Sequence, residues 1–250
     1  MGAGVYPRPP VTIHVHPTAD LAPRALLPGD PGRALAMAQT LLDEPRMFNH
    51  NRGLWGYTGP AKTDGEPLTI QSTGMGGPSA AIVVHELIEL GLRTAVRVGT
   101  CGALVPDLAL GDLVVAGEAL AEDGTSRALG ADGRAAADAG LTAALASAAG
   151  VRSEAVVTHD VFYDPVDRIA EWTAQGAVAV EMEAATVFTA CAAQGVRAGC
   201  LLAVSDTLLG GRERVDHDGL AAIGERLGAV AVQALAQYPR DRFADAGGRP

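Results

Sequence analysis

The sequence is poor in aromatic residues and contains no cluster of positive charge. Phe, Trp and Tyr make up only 4% of its 250 residues, and the net charge is −10. The Lys and Arg residues are scattered, and no basic run occurs. Because a phosphate backbone is bound by clustered positive charge, we expect no nucleic-acid partner.

Cysteine is also scarce. Cys101, Cys191 and Cys200 are odd in number and form no Cys-x-x-Cys pair, which argues against a disulfide framework and a zinc ribbon. His14 and His16 are spaced as two metal ligands could be, but no matching Asp/His set accompanies them. We therefore expect no metal ion.

Long apolar runs are missing as well. No stretch reaches the ~20 apolar residues of a membrane span. The N-terminal region has prolines at positions 7, 9 and 10 and no apolar segment typical of a signal peptide. These features predict a cytoplasmic protein that does not bind membranes.

What the sequence does contain is an alternation of Val-rich and Ala/Leu-rich segments, which is typical of a single α/β domain. We place that domain at residues 13–238, between loose tails at 1–12 and 239–250. Residues 117–134 are polar and glycine-rich and predict a long loop. Strands are predicted at the start of 24–34, at the start of 67–92, at 94–104, at 111–120, at the start of 154–165, in the first part of 177–188, and, as the last strand, at 196–206. Helices are predicted up to about residue 42, at 78–92, at 135–150, in the second part of 177–188, and at 218–237.

Gly, Ser, Thr, Asp and Glu collect where the predicted strands end. Ligands of open α/β sheets bind at the carboxyl ends of strands, so we expect one composite site there. The most unusual segment is 177–188, where Glu181 and Glu183 flank Met182 in an apolar run. Carboxylates are rarely buried without a partner, which marks this pair as candidate site residues.

A glycine-rich segment, STGMGGPS, precedes the helix predicted at 78–92. It lacks the lysine of a Walker A loop and the third glycine of the dinucleotide-binding fingerprint. Backbone amides at such a helix start can bind an anion, and a tight turn that requires glycine is the alternative.

Two arginines indicate an anion site more sharply. Arg97 lies in an apolar strand and is followed by Thr100 and glycines, and Arg33 follows another strand-to-helix turn. Two guanidinium groups, a hydroxyl and glycine amides would together hold a dianion such as phosphate. Structural ion pairs with Asp30 or Glu183 are the alternative. Neither a Gly-x-Ser-x-Gly nor a His-Glu-x-x-His motif occurs, which excludes those hydrolase signatures.

Five motifs in this order resemble the nucleoside phosphorylases of the purine nucleoside phosphorylase/uridine phosphorylase family. They are LLPGDPGRA, STGMGGPSAAIVVHELIELG, RVGTCGAL, VEMEAATVF and AVSD. The likeness runs from about residue 13 to 237. The resemblance implies a central mixed, partly barrel-like sheet flanked by helices. It also implies cleavage of a nucleoside by inorganic phosphate to a free base and ribose 1-phosphate, without a cofactor. Members of this family assemble as dimers, usually three to a hexamer.

The resemblance assigns phosphate binding to one set of residues and ribose binding to a second. The phosphate set is Gly29, Arg33, Arg97, Thr100 (where other members have Ser) and Arg52 from a neighbouring subunit. The ribose set is Glu181, which would touch ribose or support the pocket edge, together with Met182, Glu183 and His14 from a neighbouring subunit.

The base set implied by the resemblance is Phe162, Ser205 and Asp206. Phe162 would stack on the base, and Ser205 would support Asp206. Asp206 would stand beside the purine N7 and, with a raised pKa, would donate a proton or a strong hydrogen bond to the departing base. Arg212 or Arg214 is expected to assist it, although the spacing to neither matches the family clearly.

The base preference is predicted from two differences between this chain and the uridine-specific members of the family. Uridine-specific members carry a Gln and an Arg after the Phe-Tyr pair, and this chain has Val166 and Arg168. Those members also lack the acidic residue that stands here as Asp206. Both departures favour purine nucleosides, with ribose or deoxyribose and 6-oxo or 6-amino preference left open. Uridine phosphorylase, a nucleoside hydrolase that uses water, and a non-catalytic nucleoside-binding protein are the alternatives.

Overall fold

The structure, a computed structural model, describes residues 12–238; apart from residue 12, the two predicted tails lie outside this range. The strands are β1 (Arg24–Pro28), β2 (Arg46–Asn49), β3 (Gly56–Pro60), β4 (Pro67–Gln71), β5 (Thr94–Ala103), β6 (Leu113–Glu122), β7 (Arg134–Ala136), β8 (Ser153–His159), β9 (Ala177–Glu181), β10 (Arg197–Thr207) and β11 (Glu213–Arg214). The α-helices are α1 (Pro31–Leu41), α2 (Gly77–Glu89), α3 (Gly124–Ala128), α4 (Ala139–Ala149), α5 (Ile169–Ala174), α6 (Ala184–Ala193) and α7 (His217–Gln237).

All the strands belong to one mixed sheet that is partly closed. β5, β10, β6, β8 and β9 form a ring, because β9 pairs with β5 and β5 also pairs with β10. β1, β4, β3 and β2 extend from β5 as an open arm. The prediction of an α/β domain with a mixed, partly barrel-like sheet is confirmed.

The alternation of side chains along each strand divides the core into two layers. In β1, Ala25 and Leu27 contribute to one apolar cluster and Leu26 to the other. Helices α2 and α6 cover the first face, and α1, α4 and α7 cover the second. Because both faces are covered by helices, polar groups reach solvent chiefly where the strands end.

The region predicted as a loop at 117–134 is instead largely ordered secondary structure, so that prediction is wrong. β6 continues to Glu122, α3 follows, and β7 begins at Arg134. Asp123 starts α3 by accepting hydrogen bonds from the backbone N–H and the hydroxyl of Ser126. The polar sequence suggested a loop, but the side chains of Asp123 and Ser126 are buried and hydrogen-bonded to each other.

Other boundaries also differ from the predictions. The helix predicted at 135–150 begins only at Ala139, because residues 134–136 pair with β6 as β7. The strand predicted to be last is followed by the short β11, whose Arg214 pairs with Asp206 of β10. β2, β3 and α5 were not predicted, since their short segments show no clear apolar period.

Helix α7 is long and apolar enough to cross a membrane by length and composition alone, contrary to the expectation from the sequence. It packs against the sheet and against α1 and α4, with Leu227, Ala231 and Val232 fully buried. Gly228 allows this close approach, because a Cβ there would lie 2.8 Å from Leu41 Cδ1. A core helix of this kind passes the same test of length and composition.

Candidate active site

A cavity of about 810 Å³ opens where the strands end, as predicted. Most of the predicted site residues line it: Gly29, Arg33, Arg97, Thr100, Phe162, Glu181, Met182, Glu183, Ser205, Asp206 and Arg212. The first and last of them, Gly29 and Arg212, are 183 positions apart in the chain, and the sheet brings them to one edge. The cavity volume is that of a typical small-molecule site.

Arg97 lies on β5 at the floor of the cavity, buried between the two glutamates of the segment 177–188. Its Nε donates to Glu181 Oε2 at 2.8 Å, and its Nη2 pairs with Glu183. Burial alone would lower the pKa of Arg97, but the two carboxylates raise it above its ordinary value. The ion pair with Glu183, given as an alternative to phosphate binding, is therefore present in the structure.

Glu181 is fully committed to protein groups. Its carboxylate accepts from Arg97, from the Thr158 hydroxyl, and from the backbone N–H groups of Glu183 and Ala184, the last two at 2.9 Å. It therefore caps the start of α6 as well as pairing Arg97. Of the two roles left open for Glu181, this geometry favours support of the pocket over contact with ribose.

Glu183 is bound by fewer groups and borders the cavity. Its Oε1 accepts from the backbone N–H of Gly76, and its Oε2 pairs with Arg97. Burial raises the pKa of Glu183, which opposes the effect of Arg97. Glu183 is thus the carboxylate of the pair that can still turn toward a ligand.

The glycine-rich segment before α2 forms a tight turn beside this carboxylate. Gly74 and Gly76 have φ values of 74° and 83°, which glycine adopts readily. A Cβ on Gly29 would lie 3.1 Å from the Gly74 carbonyl oxygen, so two glycine loops meet here. Because the Gly76 amide is bound by Glu183, the turn reading of STGMGGPS has direct geometric support.

Arg33, at the start of α1, differs from Arg97 in its ion pairing. No carboxylate pairs with its guanidinium among residues 12–238, and Asp30 instead caps α1 by accepting from the Arg33 backbone N–H at 2.7 Å. Burial lowers the pKa of Arg33, and the nearby positive charge of Arg97 lowers it further, although Asp30 acts in the opposite sense. An anion between the two arginines would relieve both effects.

Asp206 lies near the end of β10, lines the cavity, and is bound by three side chains. Arg212 Nε and Arg214 Nε reach Asp206 Oδ1 at 3.0 and 2.8 Å, and the Ser205 hydroxyl donates to Oδ2 at 2.8 Å. A bulge between Val204 and Asp206 interrupts the pairing of β10 with β5. Both candidate arginines therefore reach the aspartate, but only Arg212 lines the cavity.

Phe162 lies in the loop after β8, with 48% of its surface exposed. The guanidinium carbon of Arg212 lies 4.8 Å from its ring centroid, in cation–π geometry. A partly exposed ring at the wall of a cavity is available to stack on a planar ligand, which core packing would not allow.

Besides Arg214, the predicted residues Arg52 and His14 do not line this cavity. Arg52 is exposed in a short turn and has a left-handed backbone, with φ of 57°. His14 precedes β1 and contacts α2 through Glu86. In their own chain, His14 and Arg52 both lie outside the cavity.

Sequence analysis overlooked a polar cluster at the far end of the cavity. His159 Nε2 lies 3.0 Å from Asp164 Oδ2, and Arg168 Nε lies 3.0 Å from the same oxygen. The Val166 amide, then Arg168 and His159, hold the pKa of Asp164 below its usual range despite some desolvation. Only the spacing of polar residues after β8 could have indicated this cluster.

All three cysteines are buried free thiols. Burial raises the pKa of each of them, that of Cys191 to about 12, so they are unreactive at neutral pH. Within the described range, 12–238, no three His, Cys, Asp or Glu side chains are grouped as metal ligands would be.

Comparisons with known proteins agree with this geometry. A family model described as the phosphorylase superfamily matches residues 23–238. The chain is 37% identical over 237 residues to a DeoD-type purine nucleoside phosphorylase of Geobacillus kaustophilus, covering 90% of this chain and 98% of that protein. It is 35% identical to proteins of the same name in Bacillus cereus strain ZK and Bacillus mycoides, covering 91% of this chain and 100% of each relative. The chain therefore belongs to the phosphorylase superfamily of nucleoside-cleaving enzymes.

Proposed function

We propose that this protein is a purine nucleoside phosphorylase, which cleaves purine ribonucleosides or deoxyribonucleosides with inorganic phosphate to a free base and a pentose 1-phosphate. The observation that carries this proposal is the placement of Arg33 and Asp206 in one cavity. Arg33 is a half-buried cation without a carboxylate partner among residues 12–238, and Asp206 lines the same cavity. A phosphate and a base could thus occupy the two sides, with the sugar between them. The printed names of the relatives support the same reaction.

In this proposal Gly29, Arg33, Arg97 and Thr100 bind phosphate. Glu183 and Met182 hold the ribose, and Glu181 fixes Arg97 and α6. As the glycosidic bond breaks, the sugar develops positive charge, which the carboxylate of Glu183 stabilises. Interactions that strengthen in the transition state accelerate the step. Inorganic phosphate is the co-substrate, and no cofactor takes part.

On the base side, Phe162 stacks on the purine, and Asp206 delivers a proton or a hydrogen bond to N7. In the structure Asp206 accepts bonds from Arg212, Arg214 and Ser205. Catalysis therefore requires the aspartate to take up a proton when the nucleoside binds. The glycines at 210 and 211 both have positive φ, which lets the segment carrying Arg212 rearrange around the base.

We further propose that the active site is completed in an assembly, a hexamer built from three dimers. His14 and Arg52 lie outside the cavity of their own chain, and Ile13, beside His14 in the sequence, is 70% exposed. A neighbouring subunit would cover this apolar side chain together with His14 and Arg52. The enzyme is proposed to act in the cytoplasm on free nucleosides.

A base-release assay tests the reaction and its alternatives. Inosine, adenosine, guanosine and uridine are incubated with the enzyme, each with and without phosphate. We expect release of purines that requires phosphate. Release without phosphate would indicate a hydrolase, release from uridine would indicate a uridine phosphorylase, and tight binding without release would indicate a binding protein. The absence of the uracil-reading Gln and the presence of Asp206 both favour purines.

The phosphate site makes a specific prediction in the same assay. We expect Arg33→Ala to raise the KM for phosphate about 10- to 100-fold, because it removes charge-assisted hydrogen bonds to the dianion. The KM for the nucleoside should change much less. Arg152→Ala is the matched control, since the Arg152 side chain is 93% exposed. Equal phosphate KM values in the two variants would contradict the assignment.

The two arginines on Asp206 are distinguished by their exposure. Arg212 lines the cavity and stacks on Phe162, whereas Arg214 has 54% of its side chain exposed. We expect Arg212→Ala to lower kcat/KM for inosine about tenfold or more and Arg214→Ala to have a smaller effect. Steady-state kinetics of both variants, compared with the unmodified enzyme, provide the measurement. Unchanged activity in both would exclude either arginine as a partner in catalysis.

A further inference from the structure

Glu86 is a buried carboxylate outside the cavity, on the solvent-remote side of α2. It is only 8% exposed, and it accepts hydrogen bonds from three successive backbone N–H groups, those of Ile13, His14 and Val15, at distances of 2.6 to 3.1 Å. A single carboxylate that collects three adjacent amides fixes the path of that segment. The amides also lower the pKa of Glu86 below its ordinary value, against the effect of burial.

The same carboxylate fixes the imidazole of His14. The distance from His14 Nδ1 to Glu86 Oε1 is 2.8 Å. Because a carboxylate only accepts, Nδ1 must carry the proton, and in the Nδ1–H tautomer Nε2 is left as an acceptor. The His14 side chain is 27% exposed, so this acceptor is accessible to a ligand.

Asparagines on the neighbouring turn complete the support. Asn51 Nδ2 donates to the His14 carbonyl at 2.9 Å, and Asn49 Oδ1 accepts from the backbone N–H groups of His16 and Asn51. Arg52 follows directly in this turn. His14 and Arg52, the two residues proposed to serve another subunit, are therefore held by one hydrogen-bonded network.

We propose that Glu86 is a positioning residue for catalysis in the neighbouring subunit: it holds His14 in the Nδ1–H tautomer and aims Nε2 at the 5′-hydroxyl of the bound nucleoside. This inference rests on the proposed function, since it assigns the target of His14. A carboxylate paired with a functional histidine in this way sets both the tautomer and the orientation of the ring. A purely structural tie between α2 and the chain before β1 is the competing explanation.

The test compares inosine with 5′-deoxyinosine as substrates for the intact enzyme. We expect the unmodified protein to prefer inosine in kcat/KM, and His14→Ala to lose this preference, about tenfold for one hydrogen bond. Glu86→Gln should lose it to a similar extent, and should add nothing in the His14→Ala background. Glu89→Gln, the same change on an exposed residue of α2, is the matched control. Because the preference is a ratio within one preparation, partial unfolding of a variant does not alter it.

Two results would overturn the inference. One is a Glu86→Gln enzyme that retains the full preference for inosine while His14→Ala loses it. The other is an equal loss of activity toward both substrates, which the structural tie predicts. A measurement independent of activity is the ¹⁵N NMR spectrum of the His14 ring: we expect the Nδ1–H tautomer in the unmodified protein and its loss in Glu86→Gln. Failure of the proposed function would appear separately, as absence of base release from the unmodified enzyme.

Discussion

Asp206→Asn is expected to lower kcat for inosine phosphorolysis by about two to four orders of magnitude, the range that a positioned general acid contributes. Asparagine keeps the size of the side chain, and its Oδ1 can still accept from Arg212 while its Nδ2 donates to the Ser205 hydroxyl, but it has no acidic proton to transfer to N7. The KM for phosphate should change little, since Asp206 and Arg33 border different parts of the cavity. Steady-state kinetics at saturating phosphate provide the measurement.

A substrate that needs no proton is the control for this variant. The base of 7-methylinosine already carries a positive charge in its imidazole ring, so it departs as a neutral molecule. We expect Asp206→Asn to cleave 7-methylinosine at nearly the rate of the unmodified enzyme. An equal loss with both substrates would mean that Asp206 acts through structure or binding and not through the proton.

Glu181→Ala is expected to lower the free energy of unfolding by about 3–5 kcal/mol, the effect of removing one partner of a buried ion pair. The Glu181 side chain has no exposed surface, and its carboxylate pairs with Arg97 while accepting from the Thr158 hydroxyl and two backbone amides of α6. The substitution leaves a buried guanidinium with only Glu183 and leaves these donors without an acceptor. Urea denaturation at a fixed protein concentration provides the measurement.

Glu118→Ala is the matched comparison, because it removes a glutamate from an ion pair at the surface. Glu118 pairs with Arg134, and both side chains are 42% exposed. Surface pairs contribute about 0–1 kcal/mol, so this variant should unfold at nearly the same urea concentration as the unmodified protein. A loss for Glu181→Ala no larger than that for Glu118→Ala would show that Glu181 is not the structural support described above.

Much of the fold could be predicted because long segments combine an apolar period with clear turns. The strand, glycine turn and helix at 67–92 and the strand at 94–104 are confirmed. The ordered part of 117–134 could not be predicted, because a buried Asp123 satisfied by Ser126 resembles an exposed turn in sequence. Burial of polar residues depends on partners that are distant in the chain.

The candidate site shows the same division. Polar residues at strand ends led us to expect one composite site, and Gly29, Arg97, Thr100 and Asp206, which the family resemblance named, line one cavity in the structure. Sequence left open whether Arg97 would pair with a ligand or with Glu183, because that choice depends on the antiparallel pairing of β5 with β9. The hydrogen bond between Glu86 and His14 joins residues 72 positions apart, and it could not be predicted because it depends on the tertiary fold.

Helix α2 has a consequence for communication within the proposed assembly. Gly76 caps the N-terminus of α2, and its amide binds Glu183 in the cavity of its own chain. Ten residues later, Glu86 binds His14, which is proposed to serve another cavity. At 1.5 Å per residue, these two anchor points lie about 15 Å apart on one rigid rod. A displacement of Glu183 by substrate would be transmitted along the rod to the partner's ribose site. If the proposed assembly forms, any effect of one site on the affinity of the next through this helix would be matched by an equal effect in the reverse direction.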